Sequence, residues 1–178
     1  MSFHALLDYV PLMGLLLLAA VIDLRQRRIP NWLTFGLILT GLARAALLMG
    51  PLGPIHALAG LLAGAAVPLV LFVLGALGGG DVKLLAGIGA WMGATAALSV
   101  FAVTCVIGVC LILAQSLIQR RTMLLLRNSA VLAASLTQKG LVACSGDSFS
   151  SIDRPVPYAV PVSIATLLVL LAQSWNAW

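Results

Sequence analysis

The sequence predicts an all-α polytopic membrane protein with about six transmembrane helices. Three observations carry that prediction. Hydrophobic residues make up 62% of the chain and charged residues only 8%, with a mean hydropathy of +1.13. A soluble exterior would need more charge than this, whereas lipid makes such a composition ordinary. The apolar residues fall into runs near the roughly 20 residues that a helix needs to cross a hydrocarbon core. Basic residues, with a formal net charge of +5, stand between those runs rather than on one face. They read as topology determinants, so the lipid bilayer is the expected partner and nucleic acid is not.

The first run covers about Ala5 to Ile22 and lacks the basic leader of a cleavable signal, so it is expected to be a retained span. Asp23 and the basic stretch Arg25, Arg27 and Arg28 follow it. Pro30 stops helix propagation, and Asn31 is the expected N-cap of a second run, Trp32 to Met49. A turn through Gly50, Pro51, Gly53 and Pro54 leads to a third run, Ile55 to Leu77, which ends at Gly78, Gly79 and Gly80. The apolar stretch Leu84 to Ile118 would exceed about 50 Å as one helix, so two spans meeting near Gly93 to Ala97 are expected. A final span covers about Tyr158 to Ser174, with Trp175 and Trp178 at its far interface.

Between the fifth and last spans, residues 119–154 are more polar and form an expected cytoplasmic segment within a single membrane domain, 1–178. Six spans put Arg25, Arg27, Arg28, Lys83, Arg120, Arg121, Arg127, Lys139 and Arg154 on one side, with only Arg44 near the other. The crowded side is then cytoplasmic and both termini face outward. Gly60-x-x-x-Gly64 and Gly89-x-x-x-Gly93 are spaced for close helix packing.

Five acidic residues occur: Asp8, Asp23, Asp81, Asp147 and Asp153. Asp8 reaches interfacial water at the outer end of the first span, and the polar segment solvates Asp147 and Asp153. Asp23 and Asp81 each join an apolar helix to a cytoplasmic turn at matched depth. Two such carboxyls suit a proteolytic dyad, in which a charged one activates water and its protonated partner polarises the scissile carbonyl. Like charges so close cannot both form cheaply, so the pair shares a proton. A second reading stays open on spacing alone: Asp23 pairs with Arg27, and Asp81 caps the fourth helix. The glycines before Asp81 leave room for an extended substrate.

Gly78-Gly79-Gly80-Asp81-Val82-Lys83-Leu84 resembles the GxGD motif of type IV prepilin peptidases. Asp23, six residues before Ile29-Pro30-Asn31, is similar to that family's first-aspartate motif. Pro157-Tyr158-Ala159-Val160-Pro161 is similar to the start of its last helix, with Ala159 where glycine is more usual. The pieces come in the family's order, and the short TadV/CpaA-like branch that serves tight-adherence (Flp) pili is the nearest match. The resemblance implies a GxGD-protease-like bundle in the bacterial inner membrane, working alongside pilus assembly machinery. It would cut the leader from prepilins or pseudopilins just before their hydrophobic helix, on the cytoplasmic face. It assigns catalysis to Asp23 and Asp81, with no cofactor; Gly78, Gly79 and Gly80 are expected to lie along the substrate, and Lys83, a frequent motif residue, either joins them there or anchors lipid headgroups. Longer members methylate the new N-terminus through an insert with paired C-x-x-C motifs; here the resemblance implies cleavage alone. Asp81 begins a helix and Asp23 ends one, so the dipoles favour Asp81 as the charged base and Asp23 as the proton holder.

The rival from another class is a small transporter or channel subunit that uses both aspartates for a cation or proton relay. Spans almost free of polar groups at mid-membrane count against it. A second is a non-enzymatic assembly partner, which would tolerate replacement of either aspartate. His4 and His56 lie at the outer ends, and Cys105, Cys110 and Cys144 form no C-x-x-C pair, so no metal site is expected.

Overall fold

The computed structural model describes residues 8–75, 77–118 and 158–175. The expected surface segment at 119–154, with Cys144, and the residues His4 and Trp178 lie outside the described residues. Those described form six α-helices: α1 (Val10–Gln26), α2 (Asn31–Leu48), α3 (Gly53–Val73), α4 (Gly79–Met92), α5 (Ala94–Ile118) and α6 (Ala159–Trp175). A single 3₁₀ turn, Gly50–Leu52, links α2 to α3. Two compact units are present, Met1–Cys105 with Pro157–Trp178, and Val106–Val156. Asp23 and Asp81 both lie in the first.

The local chemistry sets each boundary. α1 continues one turn past the last apolar residue of its run and closes at Arg27, whose left-handed backbone (φ 52°) donates its N–H to the Asp23 carbonyl at 2.8 Å. Asp23 therefore lies in the final turn of a helix rather than beyond it. The expected cap at Asn31 is corrected: Pro30 takes that position in an extended conformation, and Asn31 is the first helical residue. Its side chain is used elsewhere, as described below. The long apolar stretch does break where two spans were expected to meet. Gly93 has φ 84° and ψ 174°, a conformation nearly reserved for glycine, and it separates α4 from α5.

α4 is the central element. Every residue from Leu84 to Trp91 is buried, and the helix packs chiefly on α3 and α2. Gly60 of α3 and Gly89 of α4 face each other so closely that a methyl on either would overlap the other's carbonyl oxygen. Gly64 meets the Leu85 carbonyl one turn away in the same manner. Lipid offers little hydrophobic drive for helix association, so close backbone packing of this kind is what holds membrane helices together. On the other flank of α4, the Trp91 indole N–H donates to the Leu37 carbonyl of α2 at 3.0 Å.

α6 packs on α1. The Ser163 hydroxyl bonds the Leu16 carbonyl at 3.1 Å, a polar tie buried between the two helices. At the opposite end of the bundle from Asp23, Arg44 lies over the Tyr9 ring at 4.7 Å and the Trp91 ring at 5.6 Å, with Asp8 at 3.9 Å.

The outward faces are apolar. Leu39, Leu47, Ile55 and Val73 are all more than 60% exposed, which suits lipid and not water. Asn31–Leu48, Gly50–Val73 and Ala94–Leu111 are each long and apolar enough to cross a membrane.

Candidate active site

Asp23 enters from the last turn of α1 and is buried, at 6% exposure. A carboxyl in such a place needs a donor. It has one from the far end of the chain, since the backbone N–H of Ala159, the first residue of α6, donates to Asp23 Oδ2 at 2.9 Å. Among the described residues no ion pair joins Asp23 to Arg27, which is exposed.

Asp81 is the third residue of α4, at its interfacial end and outside the three long apolar spans. Gly78, extended, precedes the helix and accepts the Asp81 backbone N–H at 3.1 Å. Burial raises the Asp81 carboxyl from the usual 3.8 to about 6, the charge of Asp23 pushes it the same way, and the Gly78 N–H opposes both. Asp23 and Asp81, 58 positions apart in sequence (81 − 23), thus lie near enough for the charge of Asp23 to bear on Asp81. Tyr158, half-buried just before α6, has its phenol held strongly protonated by burial and by the neighbouring Cys105 and Asp81.

The turn after α1 meets the start of α4. A Cβ on Gly80 would come 3.3 Å from Ile29 Cβ, and one on Gly79 would come 3.3 Å from the Phe72 ring. A Cβ on Gly78 would stand 3.0 Å from Asp81 Oδ2. These glycines therefore have internal packing reasons as well as any reason connected with substrate. Lys83 Nζ donates to Asn31 Oδ1 at 2.8 Å and lies 5.5 Å from the Phe35 ring centre. An apolar groove of about 340 Å³ runs along α1 and α6, lined by Tyr9, Met13, Leu17, Leu167 and Leu171, and neither aspartate is part of it. No cluster of three metal-ligating side chains occurs among the described residues.

Asp23 ends α1 and Asp81 opens α4 behind a glycine run, and the I-P-N turn links the two ends. The sequence pattern of the type IV leader peptidase family matches residues 10–113. The chain belongs to that family. It is accordingly a protease, and prepilins are its substrate class. No curated protein and no solved structure matches the chain. The matched span holds both aspartates, the I-P-N turn and the glycine run, but ends before Ala159.

Two features of the structure bear on the expected division of charge. Helix dipoles taken one helix at a time favoured a charged Asp81 and a protonated Asp23. The reading omitted α6, whose N-terminus points at Asp23, and the burial that raises Asp81. Sequence reasoning placed Tyr158 and Ala159 in a family-like motif but missed their relation to the aspartates, because a backbone donor and a through-space field leave no local signature.

Proposed function

We propose that Asp23 and Asp81 are the catalytic pair of a leader endopeptidase acting on type IV prepilins, of the Flp type, at the cytoplasmic face of the inner membrane. The observation that supports this is that the turn after α1, which carries Asp23, lies against the start of α4, which carries Asp81, with Ile29 beside Gly80 and Asn31 bonded to Lys83. One carboxylate takes a proton from water while the other gives its proton to the scissile carbonyl oxygen. Gly78, exposed beside Asp81, leaves a path for an extended substrate, with Gly79, Gly80 and Lys83 along its edge. The six helices act as one multi-pass domain, with the basic residues cytoplasmic and the pilus assembly machinery as neighbour. Cleavage proceeds without methylation of the new N-terminus.

The test is leader removal from a co-expressed Flp-type prepilin, read by intact mass. Asp23→Asn and Asp81→Asn should each leave the prepilin uncut at wild-type expression. Cleavage by either variant would overturn the pair. Cleavage of pseudopilins but not Flp-type prepilins would move the substrate assignment alone.

A further inference from the structure

We infer that the Ala159 backbone N–H is a positioning donor that keeps Asp23 charged, so that Asp23 is the base that activates water and Asp81 the partner that holds the proton. This rests on the catalytic pair proposed above and assigns each member its task. The starting point is an accounting of donors. The first residues of a helix have N–H groups with no partner in the helix. In α6, Pro161 has no N–H, and the Val162 N–H bonds the Tyr158 carbonyl at 3.3 Å. The Ala159 N–H, at the positive end of the helix dipole, goes to Asp23 Oδ2.

The donor cannot drift. Ala159 is fully buried, and one turn later Ser163 fastens α6 to α1 through the Leu16 carbonyl. A hydrogen bond from a backbone N–H to an ionised oxygen is roughly twice as strong as one between neutral groups. It therefore favours the charged form of Asp23. Among the described residues, the other charged or titratable groups near Asp23 are Asp81 from α4, Tyr158 beside the donor, Arg25 in the last turn of its own helix, and Arg27 and Arg28 just after it. Asp81 opposes a second negative charge, and its proton answers that. In the first step Asp23 takes a proton from water, the hydroxide oxygen bonds the carbonyl carbon, and the C=O π bond opens as its oxygen takes the Asp81 proton. The pair bears one negative charge before and after.

The experiment uses the full chain, purified in detergent, cleaving a prepilin across a range of pH. Ala159→Pro removes the donor at a first helical position where proline fits, and Ala159→Gly keeps it. With Ala159→Pro the acid limb of kcat/KM should move up by about one pH unit or more, the scale of one charge-assisted hydrogen bond. With Ala159→Gly the limb should stay in place. A uniform loss with Ala159→Pro and no shift of the limb would overturn the proposal, as would an equal shift with Ala159→Gly.

Carboxyl infrared spectra of Asp81→Asn and Asp23→Asn, each leaving one member of the pair, need neither cleavage nor the proline variant. Asp23 should lose its proton at lower pH than Asp81, and the reverse order would refute the assignment. A correct order in a protein that cuts no prepilin would sink the proposed function and leave the positioning of Asp23 standing.

Discussion

Replacing Gly60 by alanine puts a methyl group where the Gly89 carbonyl oxygen of α4 now lies. Atoms in contact sit about 3.5–4.0 Å apart, so α3 and α4 must part by roughly 1.5–2 Å. Overpacking of that size costs about 1–3 kcal/mol. Alanine also favours a helix over glycine by roughly 0.5–1 kcal/mol, which masks part of the loss. Gly36 in α2 supplies the internal control, since a Cβ there meets nothing within 4 Å. Gly36→Ala gains the propensity without the overlap, so the difference between the two variants isolates about 1–3 kcal/mol of packing. The same displacement reaches the site, because α4 carries Asp81 in its first turn. A misplacement of about 1 Å can reduce cleavage on the order of 100-fold. Reversible unfolding in mixed micelles measures the first effect, and prepilin cleavage measures the second. If Gly60→Ala proved as stable and as active as Gly36→Ala, the backbone contact between α3 and α4 would not exist as described.

Three further outcomes follow from the same geometry. Asp81 is raised from 3.8 to about 6, so folding binds its proton more tightly than the unfolded chain does. Its contribution to stability is present below the lower value and is lost as pH rises through the upper one, and cleavage that uses this proton should fall along an alkaline limb with a midpoint no lower than about 6. A rate still climbing well above that midpoint would contradict the role given to Asp81. Lys83→Ala and Asn31→Ala should each cost up to roughly 1 kcal/mol, and the double variant no more than either alone, because the exposed Lys83–Asn31 bond is lost once. Additive losses in a double-mutant cycle would deny that bond. Gly93→Ala meets open space yet must adopt φ 84°, so it should lower stability by about 1–3 kcal/mol through the backbone alone; an unchanged unfolding midpoint would count against the break between α4 and α5.

Much of this architecture is legible in the sequence because the bilayer imposes a length. The helix breaks at Pro30, at the Gly50–Pro54 turn and at Gly93 follow from runs too long for one crossing and from residues that cannot continue a helix. Hydropathy failed at the charged ends. It stopped the first run at Ile22, whereas α1 carries Asp23, Arg25 and Gln26 in its last turn, since a helix entering interfacial water tolerates polar residues. The G-x-x-x-G spacings gave the right faces without the partners. Gly60 and Gly64 pack on α4, but Gly93 serves a helix break through its positive φ. The pairing of Asp23 with Ala159 spans 136 residues and involves a main-chain atom, so no side-chain pattern encodes it.

The motif residues divide into two jobs. Asp23 is fixed by α1 and α6, which pack on each other, whereas Asp81 is fixed by α4, which packs on α2 and α3. Two carboxyls held by different helix groups need a link if their separation is to stay constant. The turn after α1 supplies it, because Ile29 lies against Gly80 and Asn31 accepts Lys83 from the first turns of α4. An I-P-N sequence is thus suited to its place for reasons of geometry. The proline ends one helix and opens the next, the isoleucine rests against Gly80 where an added Cβ would crowd it, and the asparagine, freed from capping, reaches across to α4. The spacing from Asp23 to that turn and from Gly80 to Asp81 then sets how near the two acids come, which is the quantity their shared proton depends on.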